Sequence, residues 1–161
     1  MNTLLASVRA DCPADFTRAF IVTYLREQTP AGKAFALRLR LPGEKVGLPG
    51  FVDLERDVAL TYEVGRKAGH DGILLAWKPQ HGGPFPSFSG ELFAEPDETN
   101  EAACTLRLFG RYTAPGGLAG RAFDAAVGTR IAQATLEEFL ERLRDAAHGD
   151  YARRRNDGSH W

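Results

Sequence analysis

Arg56 is the one polar side chain that interrupts the series Val52, Leu54, Val58, Leu60, Tyr62 and Val64, which otherwise shares a single parity over FVDLERDVALTYEV. A guanidinium on that face would hold a carboxylate or enolate through its planar donor fork. A bulge at Glu55-Arg56-Asp57 would instead reverse the parity and leave the charge in water. Tyr62 and Tyr112 each join a large apolar body to a hydroxyl that needs a partner, so each is a candidate for orienting a ligand or an ordinary core tyrosine.

The remaining reactive residue types form no recognisable machinery. His70 and His81 sit in glycine-rich turns, while His148 and His160 stand near the carboxy terminus, so none has metal-ligand spacing and no metal is expected. His70-Asp71 and His81 would serve as acid or base groups only if their loops fold over a cavity mouth, and no serine or cysteine nucleophile stands in a motif beside them. Cys12 and Cys104 lack CxxC spacing and read as free thiols. PGGLAG (115–120) is not followed by the GK[ST] of a phosphate loop and reads as a turn into a helix. No cofactor is expected.

Composition narrows the partners. The 161 residues suit one domain, and a chain of this size buries roughly 70% of its unfolded surface, enough to fold without metals or disulfides. Twenty basic against 21 acidic residues give a net charge of −1, without the cationic signature of a general nucleic-acid binder. No stretch reaches the roughly 20 apolar residues that span a bilayer, and MNTLLASVRAD lacks the plan of a signal peptide, so a cytoplasmic protein with no integral membrane association is expected.

These residues must be positioned by elements that the pattern locates. Pro13 to Gln28 places Phe16, Phe20 and Tyr24 at helical spacing, with Pro13 as the start and Thr29-Pro30 as the stop. Ala34 to Leu41 alternates as a half-buried strand, 52–64 forms one long bent strand or two, and 73–78, 88–94 and 103–112 continue the pattern. Adding Leu4 to Ala10, the count reaches seven strands in an antiparallel meander. From Leu118 to Ala147 the spacing is helical, about 45 Å of helix at 1.5 Å per residue. Its first half is rich in alanine and its second carries Leu136, Phe139, Leu140 and Leu143, so space opposite the small residues would be sealed at the bulky end. The basic segment from Tyr151, with Arg153 to Arg155, is expected to be a poorly ordered tail, giving one domain over 1–150 and a tail over 151–161.

Two blocks covering about half the chain, WKPQHGGPFPSFSGELFAEP (77–96) and TLRLFGRYTAPGGLAGRAFDAAVGTRIAQATLEEFLERL (105–143), resemble START-like (SRPBCC, Bet v 1-type, polyketide cyclase-like) proteins. The resemblance lies in Trp77 on its strand, the strand Phe85 to Leu92, the strand end Gly110 to Gly117, and the helix Gly120 to Leu143. It implies an α+β helix-grip fold in which a seven-stranded antiparallel sheet curls around the long carboxy-terminal helix, with an apolar cavity between them. The expected function is the binding of a hydrophobic small molecule, a lipid, polyketide or aromatic metabolite, without covalent chemistry. Its expected lining is Arg56, Tyr62, Leu75, Trp77, Phe88, Leu92, Leu108, Tyr112, Ala125 and Thr129. One alternative is an aromatase/cyclase-like enzyme in which Arg56, Tyr62 or Tyr112 stabilises an enolate. Another is an interaction module whose interior is filled, and a homodimer stays open.

Overall fold

Alternation at period two produces six strands, each antiparallel to its neighbours. The structure, a computed structural model, describes residues 2–30, 33–42, 53–65, 72–80, 87–113 and 125–158. Within them the chain runs β1 (Asn2–Ala10), α1 (Ala14–Gln28), β2 (Phe35–Pro42), β3 (Asp53–Val64), β4 (Ile73–Pro79), β5 (Ser87–Pro96), β6 (Cys104–Thr113) and α2 (Ala125–Gly158). The strand order is β1-β6-β5-β4-β3-β2. Strands β2 to β6 therefore follow one another as a meander, and α1 carries the chain from β1 at one edge to β2 at the other.

Six strands, not the expected seven, are seen among the described residues. The segment that allowed two strands is a single one. Its pairing with β2 runs from Phe35↔Leu60 through Leu39↔Arg56 to Pro42↔Asp53 without a skipped residue, so no bulge falls at Glu55-Arg56-Asp57.

Register stacks the inward residues in rungs across the sheet. Leu60, Trp77, Phe88 and Tyr112 form one rung. Tyr62, Leu75, Gly90, Gly110 and Leu4 form the next, and Val64, Ile73, Leu92, Leu108 and Ala6 a third. Gly90 and Gly110 are paired because nothing larger fits. A Cβ built on Gly90 would stand 2.8 Å from the Gly110 Cα and nearer still to the Phe109 carbonyl, while the Phe88 ring lies 2.7 and 2.8 Å from the two Cβ positions. The missing side chains let β5 and β6 close together and make room for that ring.

Helix α1 begins after Pro13, and Thr17 donates its backbone N–H and its hydroxyl to the Pro13 carbonyl at 2.9 and 2.8 Å. It ends at Thr29, whose extended backbone is what the following Pro30 requires. The buried stripe is Ala14, Thr17, Ile21, Val22 and Leu25. Phe16, Phe20 and Tyr24, which the spacing places on one side of the helix, form a half-buried stacked ridge, with ring centroids 6.4 and 6.0 Å apart. The narrower side chains face the sheet, and the bulkier ridge packs at its flank.

Helix α2 has 34 residues, about 51 Å. Ile131, Ala132, Leu136, Phe139, Leu140 and Leu143 bury into the core beside the inner rungs. It also bonds both edges of the sheet: Gln133 Nε2 donates to the Leu5 carbonyl of β1 at 3.1 Å, and Arg142 Nη1 to the Arg38 carbonyl of β2 at 2.9 Å. Edges of a flat six-stranded sheet would lie about 24 Å apart, beyond the reach of side chains from one helix lying about 10 Å above it. The sheet therefore bends toward the helix while staying open, since β1 and β2 do not pair.

The expected helix start at Leu118 lies outside the described residues. At the other end α2 continues through Tyr151 to Gly158, over residues expected as a tail. Tyr151 packs against Phe16 with centroids 4.9 Å apart, and Arg153 and Arg154 bond Asp150 at 3.3 and 2.8 Å. Arg154 also lies over the Phe16 ring and Arg155 over that of Tyr151. An aromatic anchor and local ion pairs thus extend the helix where the basic composition alone suggests fraying. No helix among the described residues is long and apolar enough to cross a membrane.

Candidate functional site

The rung Leu60, Trp77, Phe88 and Tyr112 is where the inner face gathers aromatic and polar atoms. Trp77 stands on β4, between Leu60 of β3 and Phe88 of β5, because odd positions of β4 share the inward face. Its ring meets Phe88 at 4.7 Å and Phe139 of α2 at 5.5 Å, both tilted. Trp77 is only 3% exposed, and its indole N–H has no hydrogen-bond partner among the described residues. An unsatisfied buried donor costs about 1–3 kcal/mol, so an acceptor brought to this atom would be stabilising.

Tyr112 ends the rung at β6. It is 5% exposed, and its hydroxyl lies 2.8 Å from the Thr129 hydroxyl of α2, where either group can donate. Tyr62, on the next rung, has a different fate. Its hydroxyl donates to the Thr29 carbonyl at 2.7 Å, tying β3 to the end of α1.

Of the ten expected lining residues, Tyr62, Leu75, Trp77, Phe88, Leu92, Leu108 and Tyr112 are all buried on the inner face. Thr129 is exposed on α2 but touches the group through Tyr112. Leu92 and Leu108 lie together two rungs from Trp77, and Leu75 pairs with Tyr62 between them. The side chains of Arg56 and Ala125 lie outside the described residues; the backbone of Arg56 pairs with Leu39 and keeps parity with Val58, Leu60 and Tyr62. His70, His81 and His160 also lie outside them.

Other reactive groups are held by the fold. Cys12 and Cys104 both contact the Thr17 hydroxyl, at 2.9 and 3.5 Å, and burial pushes both thiols up from their ordinary values, opposed by that hydrogen bond. They are protonated structural thiols at neutral pH. His148 accepts the Asp11 backbone N–H through Nε2 at 2.8 Å, a bond across the end of the core. Among the described residues no group of three His, Cys, Asp or Glu side chains could hold a metal.

The sequence reading missed the opposite face of the sheet, where a groove of about 760 Å³ is lined by Glu63, Leu74, Glu91, Phe93 and Phe109 among others. Its signal was present in the apolar residues at outward parity, Leu5, Leu74 and Phe109, which alternation assigns to solvent.

An open antiparallel sheet bent over a long carboxy-terminal helix, with an aromatic inner rung, is the START-like, polyketide cyclase-like fold. The structure of TTHA0849 from Thermus thermophilus has it, at 10% identity and a TM-score of 0.53, over 92% of this chain and 99% of that one. So does the Zhui aromatase/cyclase from Streptomyces sp. R1128, at 13% identity and a TM-score of 0.54, over 91% of this chain and 93% of that one. No protein-family model matches the chain, and no curated protein matches its sequence.

Proposed function

We propose that this protein binds a hydrophobic small molecule bearing a hydrogen-bond acceptor, held between the inner rung of the sheet and the first half of α2, without covalent chemistry. The observation that carries this reading is the Trp77 indole N–H, buried among apolar groups with no partner among the described residues. A ligand carbonyl or hydroxyl would satisfy it, while Phe88 and Leu75 give apolar contact and the Tyr112–Thr129 hydroxyl pair supplies a second polar point. Arg56 and Ala125 complete the proposed lining. A cytoplasmic location belongs to the same proposal.

Two naphthalenes of similar shape test it: 2-acetylnaphthalene carries a carbonyl and 2-isopropylnaphthalene does not. The ketone is expected to bind more tightly and to shift the Trp77 indole N–H resonance. Trp77→Phe, which keeps a ring and removes the donor, should weaken the ketone about five- to tenfold, as loss of one hydrogen bond does, and leave the hydrocarbon unchanged. Equal binding of both compounds, with an unmoved indole resonance, would sink the proposal.

A second reading, an aromatase/cyclase-like enzyme, is favoured by the fold shared with the Zhui aromatase/cyclase together with the Tyr112–Thr129 pair. Tyr112 would then donate to an enolate oxygen and Arg56 would balance its charge. Turnover of a poly-β-keto substrate that vanishes in Tyr112→Phe or Arg56→Ala supports it; turnover unchanged in both variants discards those roles.

A further inference from the structure

The outward face of the sheet is built unlike an ordinary solvated surface. Among the described residues Leu5, Leu74 and Phe109 are the large apolar side chains most open to water, at 50%, 42% and 51% exposure. Register sets all three in one outward rung with two acids: Leu5 pairs with Phe109, Phe109 with Glu91, Glu91 with Leu74, and Leu74 with Glu63. Phe93 follows Glu91 by two residues on β5 and so shares its face. Glu91 therefore has one aromatic neighbour along its strand and another across from it.

The groove over this rung, about 760 Å³, is within the range that holds a drug-sized molecule. Charge narrows the occupant further. Neither Glu63 nor Glu91 has an ion-pair or hydrogen-bond partner among the described residues. Arg111 lines the adjoining rung and carries interactions of its own. The rung itself carries two acids and no base, while Arg107, across from Phe93 on the other adjoining rung, pairs with Glu95 at 3.2 Å, and a carboxylate with aromatic rings on two sides favours a cation, above all a weakly hydrated quaternary ammonium.

We propose that this groove is a second binding site, independent of the interior one, for an amphiphilic organic cation. Its ammonium group sits at Glu91 between Phe93 and Phe109, and its apolar body lies on the other side of Glu91, along Leu74.

The test titrates the ¹⁵N-labelled full chain with octyltrimethylammonium, and separately with octanoate, which has a similar tail and the opposite charge. The cation is expected to give saturable shifts at the amides of Leu74, Glu91, Phe93 and Phe109, to leave the Trp77 indole resonance in place, and to weaken as salt screens the charges. Octanoate should leave those amides unmoved. Glu91→Gln is expected to lower the affinity about fivefold, as befits a partly screened ion pair. Phe109→Ser should lower it as well, and an undisturbed spectrum elsewhere shows that both variants fold. The proposal is overturned by equal response to octanoate, by shifts centred on Trp77, by unchanged affinity in Glu91→Gln, or by self-association of the wild-type chain that Phe109→Ser abolishes. That last result would make a second copy the occupant.

Discussion

Tyr62 and Tyr112 both point inward from the sheet, yet their hydroxyls meet different partners. Tyr62 donates to the Thr29 carbonyl at the end of α1, and Tyr112 meets the exposed Thr129 hydroxyl. Tyr62→Phe should therefore cost about 1 kcal/mol of stability, read as a lower urea midpoint at unchanged slope, because the Thr29 carbonyl loses its donor. Asp97 shows the same dependence on neighbours. The Thr99 backbone N–H, the Thr99 hydroxyl and then Arg9 hold its carboxyl below the usual carboxylate range. Since the folded value is the lower one, the stabilisation is complete above the unfolded carboxylate's value and is lost as pH falls through the folded value. Titration of the Asp97 carboxyl by NMR should place it below an ordinary aspartate, and Asp97→Asn should flatten the acid limb of the stability curve. A carboxyl that titrates at the ordinary value would contradict both expectations.

At the scale of elements, the β5–β6 pair depends on two glycines that alternation alone reads as gaps in an apolar series. Gly110→Ala would drive a methyl group into backbone, the Ser89 carbonyl and the Gly90 Cα, and should cost about 3 kcal/mol because neither neighbour is a flexible side-chain end. Gly149 offers the contrast. It lies within α2, and a Cβ built on it meets nothing within 4 Å, so Gly149→Ala should gain about 0.5–1 kcal/mol. Thermal unfolding of the two variants separates a glycine required by close approach from one that only weakens a helix; similar midpoints for both would refute the distinction. Boundaries of β4 and α1 were legible to within a residue because caps, turn residues and strict alternation act locally, whereas β1 starts at Asn2, two residues before the expected Leu4. The union of 53–64 into one strand was not, since only its partner β2 shows whether a residue is skipped.

Across the whole molecule, α2 joins the two edges of the sheet through Gln133 and Arg142, and that bridge keeps an open sheet bent over one helix. Arg142→Ala should release the β2 edge, with amide exchange in β2 faster by about fivefold and that in β1 little changed. Uniform acceleration in both strands would show that the bridge does not act locally. The chain's own pattern determined the order and type of its elements and the inward membership of Tyr62, Leu75, Trp77, Phe88, Leu92, Leu108 and Tyr112, because periodicity of three and a half or two residues is a property of each segment alone. Only the tertiary structure decided that the Trp77 indole and the acids Glu63 and Glu91 lack partners among the described residues, that Tyr62 is tied to Thr29, and that the outward apolar residues share a rung with those two acids. Those facts depend on register and on contacts between residues far apart in sequence, which no local pattern encodes.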